Sequence, residues 1–227
     1  MILKFIRQIL ISTLLPAAAC VAGAVDFTAL EVDVQMHPAE YRELLERFER
    51  ADTTLTSAEL QKVYFGYSFT TGYDPREAYT EAEAAYDSAD YATALELAEK
   101  ALQSNPVSLD LNVLALASAE HLREKGGMGP RILLYGVRAD MAATAILESG
   151  SGTEAHSPFR VITSADMTRL LRNVLSIDRI VDRTKVGSVD AIKVIFPGSD
   201  RRHILYFDTS REMQFFKSHP VHPLPTL

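Results

Sequence analysis

Tryptophan is absent and cysteine occurs once, at Cys20, in a chain of 227 residues. A single thiol forms no internal disulfide and cannot build a cysteine-rich zinc site. Without indole the chain lacks the side chain with the largest stacking face, which weighs against a sugar platform. Long apolar runs are missing too. Beyond the first two dozen residues, no stretch approaches the roughly 20 residues that a membrane-spanning helix needs. Positive charge is scarce in the front half: residues 25–120 hold 19 acidic and 6 basic side chains, a net of −13. Residues 121–227 hold 11 acidic and 15 basic side chains, a net of +4. Phosphate recognition needs clustered Lys and Arg, so nucleic acid is not an expected partner.

Several catalytic patterns are also missing. No His-Glu-x-x-His is present, and His219-x-x-His222 stands in a proline-rich stretch that cannot pre-organise a metal. No lysine follows Gly150-Ser151-Gly152 as a P-loop requires, and a nucleophile elbow needs one more residue on each side of the serine. No metal ligand, cofactor or catalytic residue is therefore assigned.

What is present begins with an address. Lys4 and Arg7 precede a short apolar run over residues 9–15, and Ala22-Gly23-Ala24 has the small-x-small form of a signal-peptidase site. Residues 1–24 are expected to be a signal peptide, which would place the mature chain in the periplasm or outside the cell. The alternative is lipidation at Cys20, after Ala18-Ala19. Residues 25–150 are expected to be helical and tetratricopeptide-like. Residues 151–218 should form a small α+β region, and 219–227 a flexible tail.

The periodicity supports that division. His37-Pro38 opens a helix with Tyr41, Leu44, Leu45 and Phe48 on one face, with Pro at the first helical position. Thr56-Ser57-Ala58-Glu59 has capping-box spacing, and Asp74-Pro75-Arg76-Glu77 makes a similar start. Ala78 to Pro106 fits a tetratricopeptide hairpin: Ala82 and Ala85, the turn Asp90-Tyr91, then Ala94, Leu95, Ala101 and Leu102. No second copy follows in register. Leu109–Leu122 reads as a helix buried on all sides, and Gly126-Gly127-Met128-Gly129-Pro130 breaks the chain before another helix over 131–148. Gly150 is placed as the residue that ends it. Further on, Phe159–Ile162 reads as a strand, and Ser164 as the cap of a helix facing inward through Met167, Leu170, Leu171 and Val174. Val189–Phe196 and His203–Phe207 are joined by Pro197-Gly198-Ser199-Asp200, so they should pair as a hairpin. The fold class is α+β, with N-terminal helical hairpins packed on a small C-terminal antiparallel sheet.

Several of these segments, in this order, resemble domain-of-unknown-function family 4919 of exported bacterial proteins. They are Tyr64-Phe65-Gly66-Tyr67-Ser68-Phe69, Tyr73-Asp74-Pro75, Asn105-Pro106-Val107-Ser108-Leu109-Asp110-Leu111 and Ala145–Gly152, then Asp190-Ala191-Ile192 and Leu205-Tyr206-Phe207-Asp208. Val189 stands where such sequences often carry cysteine, and Ser151 where an acidic residue is common. The resemblance implies an architecture and brings no activity with it.

Two groups of residues are candidates for binding. Tyr64, Phe65, Tyr67, Phe69, Tyr73 and Tyr79 crowd one short segment, and tyrosines suit recognition because they join rigid area to a polar tip. Packing onto the helical core is the more ordinary reading, since buried aromatics usually serve packing. His121, Ser151, Thr153 and His156 lie around the central loops, where glycine-loop amides can nest an anion. The expected role is a non-catalytic envelope binding or scaffold protein holding a peptide or protein partner through Tyr64, Tyr67, Tyr73 and the helical surface. One alternative is a hydrolase using His156 and a carboxylate at the Gly150 loop. Another is an apolar-ligand carrier with its cavity between the Val189–Phe207 hairpin and the Ala165–Val174 helix.

Overall fold

Helices occupy the front of the chain, and four of them begin at a side chain that caps them: Asp26, Thr56, Asp90 and Ser108. The computed structural model describes residues 25–75 and 80–220. The segment expected to be a signal peptide, with Cys20, the Arg76-Glu77 part of one helix start, Tyr79 and the stretch from residue 221 lie outside the described residues. Asp26 caps α1 (Phe27–Met36), accepting from the Thr28 and Ala29 amides at 3.0 Å. α2 (Pro38–Glu49) carries Pro38 in its first turn and buries Tyr41 and Phe48. The capping box at α3 (Ser57–Gly66) is complete: Glu59 N donates to Thr56 Oγ1 at 3.3 Å, and Thr56 N donates to Glu59 Oε2 at 2.7 Å. A 3₁₀ turn, Tyr67–Phe69, extends it.

α4 (Thr80–Asp87) and α5 (Tyr91–Ser104) form a helical hairpin with Ala82, Ala94, Leu95, Ala98 and Leu102 buried. α6 (Leu109–His121) runs through the middle and buries ten of its residues, including Asp110 and Asn112. α7 (Gly129–Leu147) follows the Gly126-Gly127 break. It ends at Leu147, and Gly150 lacks the positive φ of a helix-terminating glycine. Its role is close approach instead: a Cβ there would lie 2.2 Å from the Pro158 carbonyl oxygen.

The C-terminal part is a four-stranded mixed sheet ordered β1-β4-β3-β2: β1 (Phe159–Arg160), β2 (Arg179–Val186), β3 (Val189–Ile195) and β4 (Arg202–Asp208). The expected β3–β4 hairpin forms, Ala191 facing Tyr206 and Asp190 facing Phe207. β1 pairs with β4 in parallel, so the sheet is not wholly antiparallel. α8 (Ser164–Arg169) continues as a π-helical turn over Leu170–Val174 and buries Met167, Leu170, Leu171 and Val174. Its cap is Thr163, whose Oγ1 accepts from Asp166 N at 3.1 Å; Ser164 instead donates its backbone N–H to Glu212 on α9 (Ser210–Ser218) at 3.0 Å.

One core cluster joins the helical region to the sheet, including Phe48, Tyr64, Val113, Ile146, Leu170, Val194 and Phe207. A second fills the α4–α5 hairpin against α6 and α7. Fully burying each large apolar side chain contributes about 1.5–3 kcal/mol, so the two regions stabilise each other.

Candidate functional site

The tyrosines proposed as a recognition surface point inward. Tyr64 is fully buried, and its hydroxyl donates to Asp166 Oδ2 at 2.8 Å. Tyr67 donates to the Gly72 carbonyl at 3.1 Å and also to that of Ser104. Tyr73 donates to the Ile162 carbonyl at 2.5 Å. Burial pushes the pKa of the Tyr64 and Tyr73 phenols well above the usual tyrosine value, so both remain neutral donors. The phenols therefore link the α3 end, the α5–α6 junction and the strand before α8. Their hydroxyls are spent inside the protein, because the same groups that suit recognition also satisfy a buried polar seam; of the three, Tyr73 also lines the cleft described below.

Asp166 is the hub of that seam. It is fully buried and accepts from Tyr64 O–H, from Asp110 N at 3.0 Å and from Ser108 Oγ at 3.3 Å. Ser108 caps α6, so the carboxylate sits at a helix N-terminus where backbone N–H groups and the helix dipole favour negative charge. Burial nevertheless pushes Asp166 up to about 6, with the Asp110 and Tyr64 bonds opposing the rise. Arg169 joins the seam to solvent, bonding Asp110 at 2.6 Å and Glu83 at 3.2 Å.

The 149–158 loop folds on itself. Ser151 N donates to Ser157 Oγ at 3.0 Å, Gly152 N to the Ser157 carbonyl at 2.9 Å and Thr153 N to Ser151 Oγ at 3.4 Å. The three amides expected to cradle an anion are thus used internally. His156 stands 81% exposed and pairs with Glu154, itself 59% exposed, at 3.0 Å. The two meet in open solvent, away from Asp166. His121 lies elsewhere, stacked on Tyr91 with centroids 3.9 Å apart and Tyr86 edge-on to both. The structure therefore does not gather Ser151, Thr153, His156 and His121 into one site. The space proposed for an apolar ligand is occupied by Ile192, Val194, Leu205, Met167 and Leu170, all buried in the main core.

A cleft of about 490 Å³ opens where the sequence reading placed no site, between α1, residues 68–73 and α9. Its walls include Glu31, Ser68, Phe69, Thr70, Thr71 and Tyr73 from the front of the chain, with Arg211, Gln214, Phe215, Ser218 and His219 behind. Arg211 is fixed on several sides. Its Nε donates to Ser68 Oγ at 3.1 Å, Nη2 to the Ser68 carbonyl at 3.0 Å and Nη1 to Gln214 Oε1 at 2.6 Å. Its guanidinium carbon lies 3.9 Å above the Phe69 ring and 5.9 Å from that of Phe27. Burial lowers its basicity, partly offset by the nearby Tyr73 and Glu31. No carboxylate among the described residues forms an ion pair with it. Further along the same wall, the His219 ring stacks on Phe215 at 4.2 Å.

The front of the cleft was half legible: Ser68-Phe69-Thr70 adjoins the tyrosine segment. The back was not: residues 209–218 carry no assigned element within the expected α+β region, and only His219 falls in the expected tail. The signal was Asp208-Thr209-Ser210 before Arg211-Glu212-Met213-Gln214-Phe215, a polar helix start followed by i, i+4 partners.

Among the described residues, no helix is long and apolar enough to cross a membrane, and no group of three His, Cys, Asp or Glu could hold a metal ion. Residues 28–218 match the family described as domain of unknown function DUF4919, and the chain belongs to that family. No curated protein and no solved structure matches it.

Proposed function

We propose that this member of DUF4919 is an exported, non-catalytic binding protein whose working surface is the cleft between residues 68–73 and α9. The observation that carries the reading is Arg211, a half-buried guanidinium stacked on Phe69, held by Ser68 and without an ion-paired carboxylate. Holding a cation rigidly in a partly desolvated, aromatic-lined cleft costs free energy, which a ligand's negative charge offsets. The cleft's volume lies within the roughly 300–1,000 Å³ typical of small-ligand sites. A peptide, or the end of a protein, suits its mixture of aromatic and hydroxyl groups. The α4–α5 hairpin supports a scaffold role only by analogy with helical repeats.

Export rests on Lys4, Arg7 and the Ala22-Gly23-Ala24 site. In a host that exports it, the intact mass of the purified protein should correspond to a chain starting at Val25. A mass retaining residues 1–24, or one showing lipid on Cys20, would contradict that.

The binding reading is tested by a photocrosslinking side chain at Thr71, on the cleft, beside a control at Thr153, on the remote loop. The proposal expects a discrete adduct from position 71 in the native envelope and none from 153. Equal labelling from both positions, or none from either, would remove the cleft as the working surface.

A further inference from the structure

Resting on that reading, we infer that the cleft recognises a zwitterion: a free amino acid, or a peptide short enough to present its ammonium and carboxylate together. Two unmatched charges face the cleft. Arg211 uses three of its N–H groups on Ser68 and Gln214, which leaves one N–H on each of Nη1 and Nη2 without an acceptor among the described residues. That remaining pair matches a carboxylate, the planar anion for which guanidinium is best suited. Stacking on Phe69 holds the fork in plane, so little side-chain entropy is lost when an anion docks.

The second charge is Glu31. Its carboxylate acts electrostatically on Arg211 but forms no ion pair with it, and its one hydrogen bond among the described residues is from Gln35 at 3.4 Å. Glu31 therefore stays available for a cation. A ligand with one charge would leave the other member of this pair unmatched, whereas an α-amino acid or short peptide satisfies both. The Phe215–His219 stack supplies an apolar wall for its side chain.

The test is isothermal titration calorimetry on the purified protein, using the free amino acids and then di- and tripeptide pools with free, N-acetylated or C-amidated ends. Binding of free-ended ligands is expected, weakened at least tenfold by amidation and less by acetylation. Arg211→Lys should abolish the amidation effect while keeping the fold's positive charge. Glu31→Gln, at an exposed position that leaves the core untouched, should abolish the acetylation effect alone. Single amino acids binding as well as peptides would assign the smaller ligand, and peptides alone the larger. Capped and free ligands binding equally would overturn the zwitterion and leave the binding reading in place. No binding by any ligand, with a protein adduct still formed at Thr71, would overturn the small-ligand class; failure at Thr71 as well would end both.

Discussion

Burial pushes the Asp166 carboxyl up to about 6 against an ordinary value of 3.8, so the folded protein holds a proton there that the unfolded chain has released. Between those values the folded state binds more protons. The stability that Asp166 contributes is therefore fully present below about pH 4 and is lost as pH rises through about 6. A shift of that size corresponds to about 3 kcal/mol. Asp140 is pushed to about 6 by burial in the same way, while Asp33 and Asp190 are held below the usual carboxylate range and act in the opposite sense. The contribution of Asp166 is isolated by comparison: Asp166→Asn should flatten the decline in urea-unfolding stability between pH 4 and 7. An unchanged pH slope would refute the assignment. Tyr64→Phe removes one donor to this carboxylate and should cost about 1–3 kcal/mol at neutral pH in the same assay. The tyrosines were legible in the sequence as a cluster, but their direction was not. A phenol serves a buried seam and a wet groove equally well, and its partner Asp166 lies 102 residues away in the chain.

At the scale of elements, what could be read followed local physics. Capping at Thr56, the Pro38 start and the all-round apolar Leu109–Leu122 segment each declare a helix without tertiary help. α1 falls inside the stretch expected to be helical, but its bounds were not legible: Glu31-Val32-Asp33-Val34 alternates with the period of a strand, and its buried face consists of Val34 with the partly buried Phe27 and Leu30. β2 was missed because all eight of its residues are exposed, so burial imposes no pattern on them. It is held by pairing with β3 and by the buried Asp190, which bonds Arg183 at 2.8 Å and Lys185 at 3.2 Å. The 149–158 loop is set by glycine. Gly152 has φ +67°, and a Cβ on it would fall 2.0 Å from the Phe159 ring; Gly126, at φ +81°, has nothing within 4 Å. Gly126→Ala should cost about 1 kcal/mol through backbone strain alone, and Gly152→Ala clearly more, because Phe159 must also move. Equal urea midpoints for the two variants would contradict this account of the loop.

Over the whole molecule, the acidic front and basic rear are joined through one core, so charge asymmetry does not mark separable domains. The sheet ends on β2, whose Val186 is 72% exposed, yet the strand is guarded by a bulge at Val181 and by Arg179, Asp182, Arg183 and Lys185. Asp182→Val should therefore raise concentration-dependent association in sedimentation velocity; unchanged sedimentation would mean that Asp182 is not a guard. The cleft is a property of this scale as well. It combines Glu31, Ser68-Phe69 and Arg211 from segments that no local pattern connects, which is why the sequence pointed to part of one wall only. Its claim to be the working surface is tested most directly by a crystal structure of the protein purified from its native host without exchange. The account predicts a bound group whose anionic end meets the Nη1 and Nη2 groups of Arg211. Arg211 paired instead with a carboxylate of its own chain, in a cleft closed by that chain, would contradict it.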